Sequence, residues 1–248
     1  MKKLFFSGII HPERLGLSIG TVEQELGTDG VLRGSMKFSI SNGQLIAYVE
    51  WDNDREDYFT LRNIVQAAVE PMTNIASFLK GYAFGVEVVQ IFDEELNKSQ
   101  AFSNEIPSLV ERNKKRELTE VKAIYPLCCG PDGLYLRRCL NDLNLAIRHP
   151  DDTGFYCYRA LESLKQFFGF LRAEKDDRKQ WQAMASVLGG KEEDIKPIKD
   201  LAFPARHGVP DPITDQQRKD IFLKTWDLVE RFVDYRLKET GSSYRMKQ

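Results

Sequence analysis

The 248-residue chain predicts an α+β protein: an N-terminal α+β unit with an antiparallel hairpin, followed by a C-terminal all-α five-helix bundle. Three observations carry this. Asn42-Gly43 stands between two runs of alternating apolar residues, the mark of a tight hairpin, because both central positions of a type I′ turn need positive φ. Near Tyr58 the apolar spacing changes from two residues to three and four. Beyond residue 133 every apolar series keeps the helical step.

Taken in order, Leu4 to Ile10 is an apolar run that stops at His11-Pro12-Glu13-Arg14, too short for a secretory segment, and predicts a first strand in an intracellular, cytoplasmic protein. Leu15 to Gly20 alternates with period two. Met36 to Ile40 meets Gln44 to Val49 across Ser41-Asn42-Gly43, with Leu45, Ala47 and Val49 on one face and Ile46, Tyr48 and Glu50 on the other. Leu61, Val65, Val69, Met72, Ile75 and Leu79 describe a one-striped helix, which Pro71 is expected to bend or split and Gly81 to close. Tyr82 to Phe92 reads as a further strand. The N-terminal domain is thus placed at 1–95 and a polar linker at 96–132, whose charge run Glu111 to Glu117 reads as a solvated face.

A bundle follows at 133–240, with a flexible tail at 241–248. Its helices are Leu134–Ile147, Phe155–Leu171, a shorter one holding Trp181 and ended by Gly189-Gly190, Glu192–Ala205, and Thr214 to about Lys238. Asp152 or Thr153 is expected to accept an N–H at the start of the second. The aromatics Phe155, Tyr156, Tyr158, Phe167, Phe168 and Phe170 fall on two faces and read as core rather than as a base-stacking platform.

Composition narrows the function classes. Lys plus Arg number 35 against 37 Asp plus Glu, a net charge of −2, so no global basic excess draws in nucleic acid. The charge is split: residues 1–100 carry −5 and residues 101–248 carry +3. No stretch has the ~18 uninterrupted apolar residues of a membrane span. Cys128, Cys129, Cys139 and Cys157 lack the spacing of a zinc site and read as buried, reduced thiols. The acidic cluster Glu50, Asp52, Asp54, Glu56 and Asp57 lacks the central glycine of a calcium loop and reads as a solvated turn. No metal and no cofactor is expected.

The three histidines leave few catalytic arrangements. His149 follows Arg148 and His207 follows Arg206, each pair at the end of a predicted helix, where a cation faces unpaired carbonyls and the negative end of the dipole. The order Tyr158-Arg159-Ala160-Leu161-Glu162-Ser163-Leu164, then a tryptophan-bearing helix, then Ile198-Lys199-Asp200-Leu201-Ala202 running into Arg206-His207-Gly208, resembles HEPN-type helical bundles over about residues 133–240. The resemblance implies an RNA- or nucleotide-associated domain of the kind found in prokaryotic toxin–antitoxin and phage-defence proteins, and a homodimer. In catalytic members a helix carries an arginine and, about four to six residues later, a histidine. The histidine moves the 2′-hydroxyl proton and the arginine holds phosphate charge, without metal.

In this chain the arginine positions of that pattern hold Leu201, Ala202 and Phe203, and Arg206 adjoins His207 instead. The expectation is therefore a non-catalytic HEPN-like RNA/nucleotide-associated or partner-binding protein of a prokaryotic defence or stress system. Arg159, Arg148 and His149 are its candidate RNA- and phosphate-binding residues, and the N-terminal domain would meet a protein partner. Two alternatives stand beside it: a metal-independent endoribonuclease using His207 with Arg206 or Arg159, and a structural subunit of a larger assembly.

Overall fold

The computed structural model describes residues 1–28, 31–52, 57–103, 105–190, 192–208 and 213–239. The chain divides into two units, Met1–Ser103 and Asn104–Gln248. The first contains β1 (Lys2–His11), β2 (Ile19–Thr28), β3 (Val31–Ser41), β4 (Gln44–Trp51), α1 (Tyr58–Lys80), β5 (Gly85–Asp93) and β6 (Lys98–Ala101). The six strands form one sheet in the order β2-β3-β4-β1-β5-β6, antiparallel throughout.

The hairpin forms where Asn-Gly demands it. Ser41 pairs with Gln44, leaving Asn42 at φ 48° and Gly43 at φ 80° as the two-residue turn. Alternation then sorts β4: Leu45, Ala47, Val49 and Trp51 are buried, whereas Ile46 is 62% exposed. The buried phase joins Leu4, Phe6 and Ile10 of β1 and is covered by Leu61, Val65 and Val69 of α1. At Gly34 the strands come so close that a Cβ would lie 2.0 Å from the Glu50 carbonyl oxygen, so only glycine fits.

Several expectations need correcting here. The strand expected from Leu15 starts only at Ile19 and runs on to Thr28, because Glu13–Leu15 close a 3-10 turn on Gly16 at φ 55°. Pro71 does not split α1, which is continuous from Tyr58 to Lys80. The proline and Ala67, whose carbonyl it deprives of a donor, are both exposed, so water can complete the ladder. In the acidic cluster, Asp54 and Glu56 lie outside the described residues.

The second unit contains α2 (Pro107–Asn113), α3 (Val121–Ile124), α4 (Gly130–Arg148), α5 (Thr153–Arg172), α6 (Asp177–Leu188), α7 (Glu192–Arg206) and α8 (Asp215–Glu239). The α+β class holds, but the five-helix count does not: the five long helices are present, and two short ones precede them. Nor is 96–132 a linker. Residues 96–103 complete the sheet unit through β6, and beyond them Ile106, Leu109 and Leu127 are buried in the helical core. The charges read as a solvated face tie α2 and the turn after it to α8: Arg112 donates to Glu230 at 2.5 Å, and Arg116 to Glu230 at 3.0 Å and Glu120 at 2.8 Å. The tail at 241–248 lies outside the described residues.

Helix α5 is the hub, packed by α4, α6, α7 and α8. Gly154 lets α7 approach it, since a Cβ there would meet the Leu201 carbonyl oxygen at 2.8 Å. Asp152 occupies the N-cap of α5 without a side-chain bond. The Thr153 hydroxyl donates instead to the carbonyls of Pro150 (2.8 Å) and Ala146 (3.2 Å), so neither caps the helix as expected.

Candidate functional site

Adjacent residues on α5 point about 100° apart, so Tyr158 and Arg159 belong to different surroundings. Arg159 faces α4. There a polar groove of about 770 Å3 is lined among others by Arg137, Arg138, Asn141 and Asp142 of α4 and by Arg159 and Glu162 of α5, three arginines against two carboxylates. Arg159 Nη2 lies 3.1 Å from Asp142 Oδ1, an ion pair rather than an aligned hydrogen bond. The Asp142 side chain is only 3% exposed. Burial raises its pKa above the ordinary 3.8, while Arg159 and Arg138 pull it down less strongly.

The guanidinium of Arg159 also lies over the rings of Phe155 (5.3 Å) and Tyr156 (5.8 Å), and Tyr156 is 5.8 Å from the His149 ring. Arg159 and His149, both nominated from the sequence, are therefore brought to one region through Tyr156. Arg148 is exposed in the last turn of α4. The cation that bonds the α4 terminus is a different one, Arg218, whose Nε donates to Thr153 Oγ1 at 2.9 Å and Nη2 to the Ile147 carbonyl at 2.9 Å. The helix-end role expected of Arg148-His149 thus falls to a residue about seventy positions away, with no local signal.

The other nominated pair is not assembled into a site. Pro197 and Pro204 lie inside α7, which persists to Arg206, so Pro204 does not break the turn as its chemistry suggests. Arg206 and His207 are exposed. The His207 ring packs 4.4 Å from that of Phe203 and shares no hydrogen bond or ion pair with Arg206, Arg159, Arg148 or His149 among the described residues.

On another flank of α5, Tyr158 opens on a cavity of about 570 Å3 bounded by α6 and α7. Its ring is stacked on Trp181 with centroids 5.9 Å apart and planes at 26°. The aromatic series read as core is consequently divided. Phe167 and Phe168 are core, Tyr158 is both core and cavity wall, and Phe170 is exposed. Cys139 and Cys157 are buried thiols whose pKa burial pushes up, Cys157 to about 12, whereas Cys129 is exposed.

Among the described residues no group of three His, Cys, Asp or Glu side chains is placed to hold a metal ion, and no helix is long and apolar enough to cross a membrane. The geometry defines a class: a helix-covered antiparallel sheet followed by a helical unit, built around one hub helix, that carries an arginine-lined groove and an aromatic-walled cavity. Residues 4–102 match the family model described as Domain of unknown function (DUF8168) N-terminal domain, and residues 121–237 match the model of its C-terminal domain. The chain is therefore similar, in the same order, to both domains of one family. No curated protein and no solved structure matches it.

Proposed function

We propose that the chain is a non-catalytic, HEPN-like RNA- or nucleotide-associated protein of a prokaryotic defence or stress system, and that it holds phosphate in the groove between α4 and α5. One observation carries the reading: Arg137, Arg138 and Arg159 line the same groove. A guanidinium presents several donors in a rigid fork suited to phosphate oxygens, and neutralising phosphates displaces counterions. Against cleavage stands His207, whose ring is packed on Phe203 and shares no hydrogen bond or ion pair with an arginine among the described residues, whereas proton transfer requires a base within hydrogen-bond reach and charge stabilisation at the phosphate.

The same reading takes the helical unit as a homodimer, by the HEPN-like resemblance, and the protein as cytoplasmic. It gives the sheet unit a protein partner, met through Phe5, Ile46 and Phe92, which are exposed on the face away from α1.

The test is anisotropy of a labelled single-stranded RNA against the full chain, with a parallel gel assay in EDTA. Arg137→Ala with Arg138→Ala should weaken binding about tenfold and flatten its salt dependence, and no cleavage should be seen. Cleavage abolished by His207→Ala would replace this reading with the endoribonuclease. Absence of any RNA binding would leave the structural subunit.

A further inference from the structure

We infer that the cavity between α5, α6 and α7 is a second binding site, for a small ligand in which a flat aromatic ring carries an anionic group. It stands on residues that the arginine groove does not use. At about 570 Å3 the cavity falls in the range of about 300–1,000 Å3 typical of small-molecule sites. Its wall includes the stacked pair Tyr158 and Trp181, an aromatic surface against which a flat ring can lie. Ala185 and Ile195 add apolar lining.

The polar part of the lining selects the sign of the charge. Lys196 and Lys199 lie three residues apart on α7, hence on one face, and Arg178 contributes a third cation from α6. No ion pair engages these three among the described residues. The lining holds two carboxylates, Asp200 and the Asp177 that bonds Lys165, against these three cations and Lys165 behind them.

Lys165 deepens the case. Its side chain is 4% exposed, its Nζ lies 2.5 Å from Asp177 Oδ1 and 5.1 Å from the Trp181 ring centroid. A buried ammonium needs an anionic partner, yet the Asp177 side chain that supplies it is 71% exposed. Asp177 lines the cavity and reaches water, so the anionic group of a ligand lying against Trp181 competes with it for Lys165. Asp177 is on this account a placeholder that competes with the ligand.

The ring and the anion can come from two sources, a nucleotide or an aromatic carboxylate. Calorimetric titration of the full chain with adenosine 5′-monophosphate and, separately, with indole-3-acetate distinguishes them. Adenosine and inorganic phosphate serve as part-probes. The expected result is saturable binding of one whole probe, about tenfold or more tighter than of either part. Trp181→Leu should weaken it about tenfold, and so should Lys196→Ala with Lys199→Ala, a pair of exposed positions whose replacement leaves the helical circular dichroism intact. Asp177→Asn should tighten it several-fold, an effect no general loss of structure produces. Failure of both whole probes to bind below about 1 mM, equal binding of the parts, or binding unmoved by these substitutions would overturn the proposal.

Discussion

Helices α1 and α5 have nearly the same length and opposite environments. Helix α1 lies against a sheet and buries one stripe, Leu61, Val65, Val69 and Ala76, while Ile75, Phe78 and Leu79 stay exposed. Helix α5 has four helical neighbours and buries eleven of its twenty residues, against seven of twenty-three in α1; each buries one charged side chain, Lys165 and Arg62. A helix on a sheet needs only a narrow apolar face. A hub helix must satisfy every neighbour, and its polar sites open wherever two neighbours fail to meet. Both the arginine groove and the aromatic cavity lie along α5 for this reason.

The largest expected effect tests the hub. Phe168, which meets the rings of Phe167, Phe232 and Tyr235, should lose about 3–5 kcal/mol as Phe168→Ala in urea unfolding followed by circular dichroism. Leu61→Ala on α1 should lose about 2–5 kcal/mol, with near-native packing retained in the helical unit. A loss below about 1 kcal/mol at Phe168 would deny α5 its central place. Next comes Gly34→Ala, where the added methyl must push β3 from β4 and should remove about 1–3 kcal/mol. Crystallography or strand-amide exchange would show the displaced pair of residues 34 and 51.

The contrast between the helices also explains what the sequence revealed. Asn42-Gly43, Gly81 and Gly189 mark their turns and caps because positive φ leaves few residue choices. The strand β2 was legible only in part. As an edge strand it buries Leu26 but keeps Glu23 and Glu25 at the surface, so no apolar run marks its second half. The stretch after Phe102 looked like a linker because its charges pair with α8, a partner more than a hundred residues away. The site was harder still. Arg159 was nominated by its local pattern, but Arg137, Arg138, Trp181 and Lys196 gain meaning only from which helices pass beside them.

Capping sharpens the comparison at about 1 kcal/mol. Asp57 accepts from the Thr60 N–H at 2.8 Å at the start of α1, and Asp176 from the Lys179 N–H at 2.9 Å at the start of α6. Asp57→Ala and Asp176→Ala should each remove about 0.5–2 kcal/mol. Asp152→Ala at the start of α5 should change little, since its side chain caps nothing. A full capping loss at Asp152 would show that α5 starts as an ordinary exposed helix does, contrary to its anchoring through Thr153.

The smallest effect is a slope. Burial holds the Asp142 pKa above its ordinary 3.8, so between that value and the higher folded one the native chain binds more protons at this site than the unfolded chain. Stability from this group is therefore present below pH 3.8 and lost as pH rises through the folded pKa, the reverse of a carboxylate whose pKa is depressed by a salt bridge. Asp142→Asn, which cannot ionise, should lack that fall. The difference between wild-type and variant unfolding free energies across pH 3 to 7 isolates it from the remaining carboxylates. A rise in that difference with pH would mean that Arg159 outweighs burial and that Asp142 is held as a strongly paired anion. The guanidinium would then be committed to the protein and could not turn toward phosphate in the α4–α5 groove.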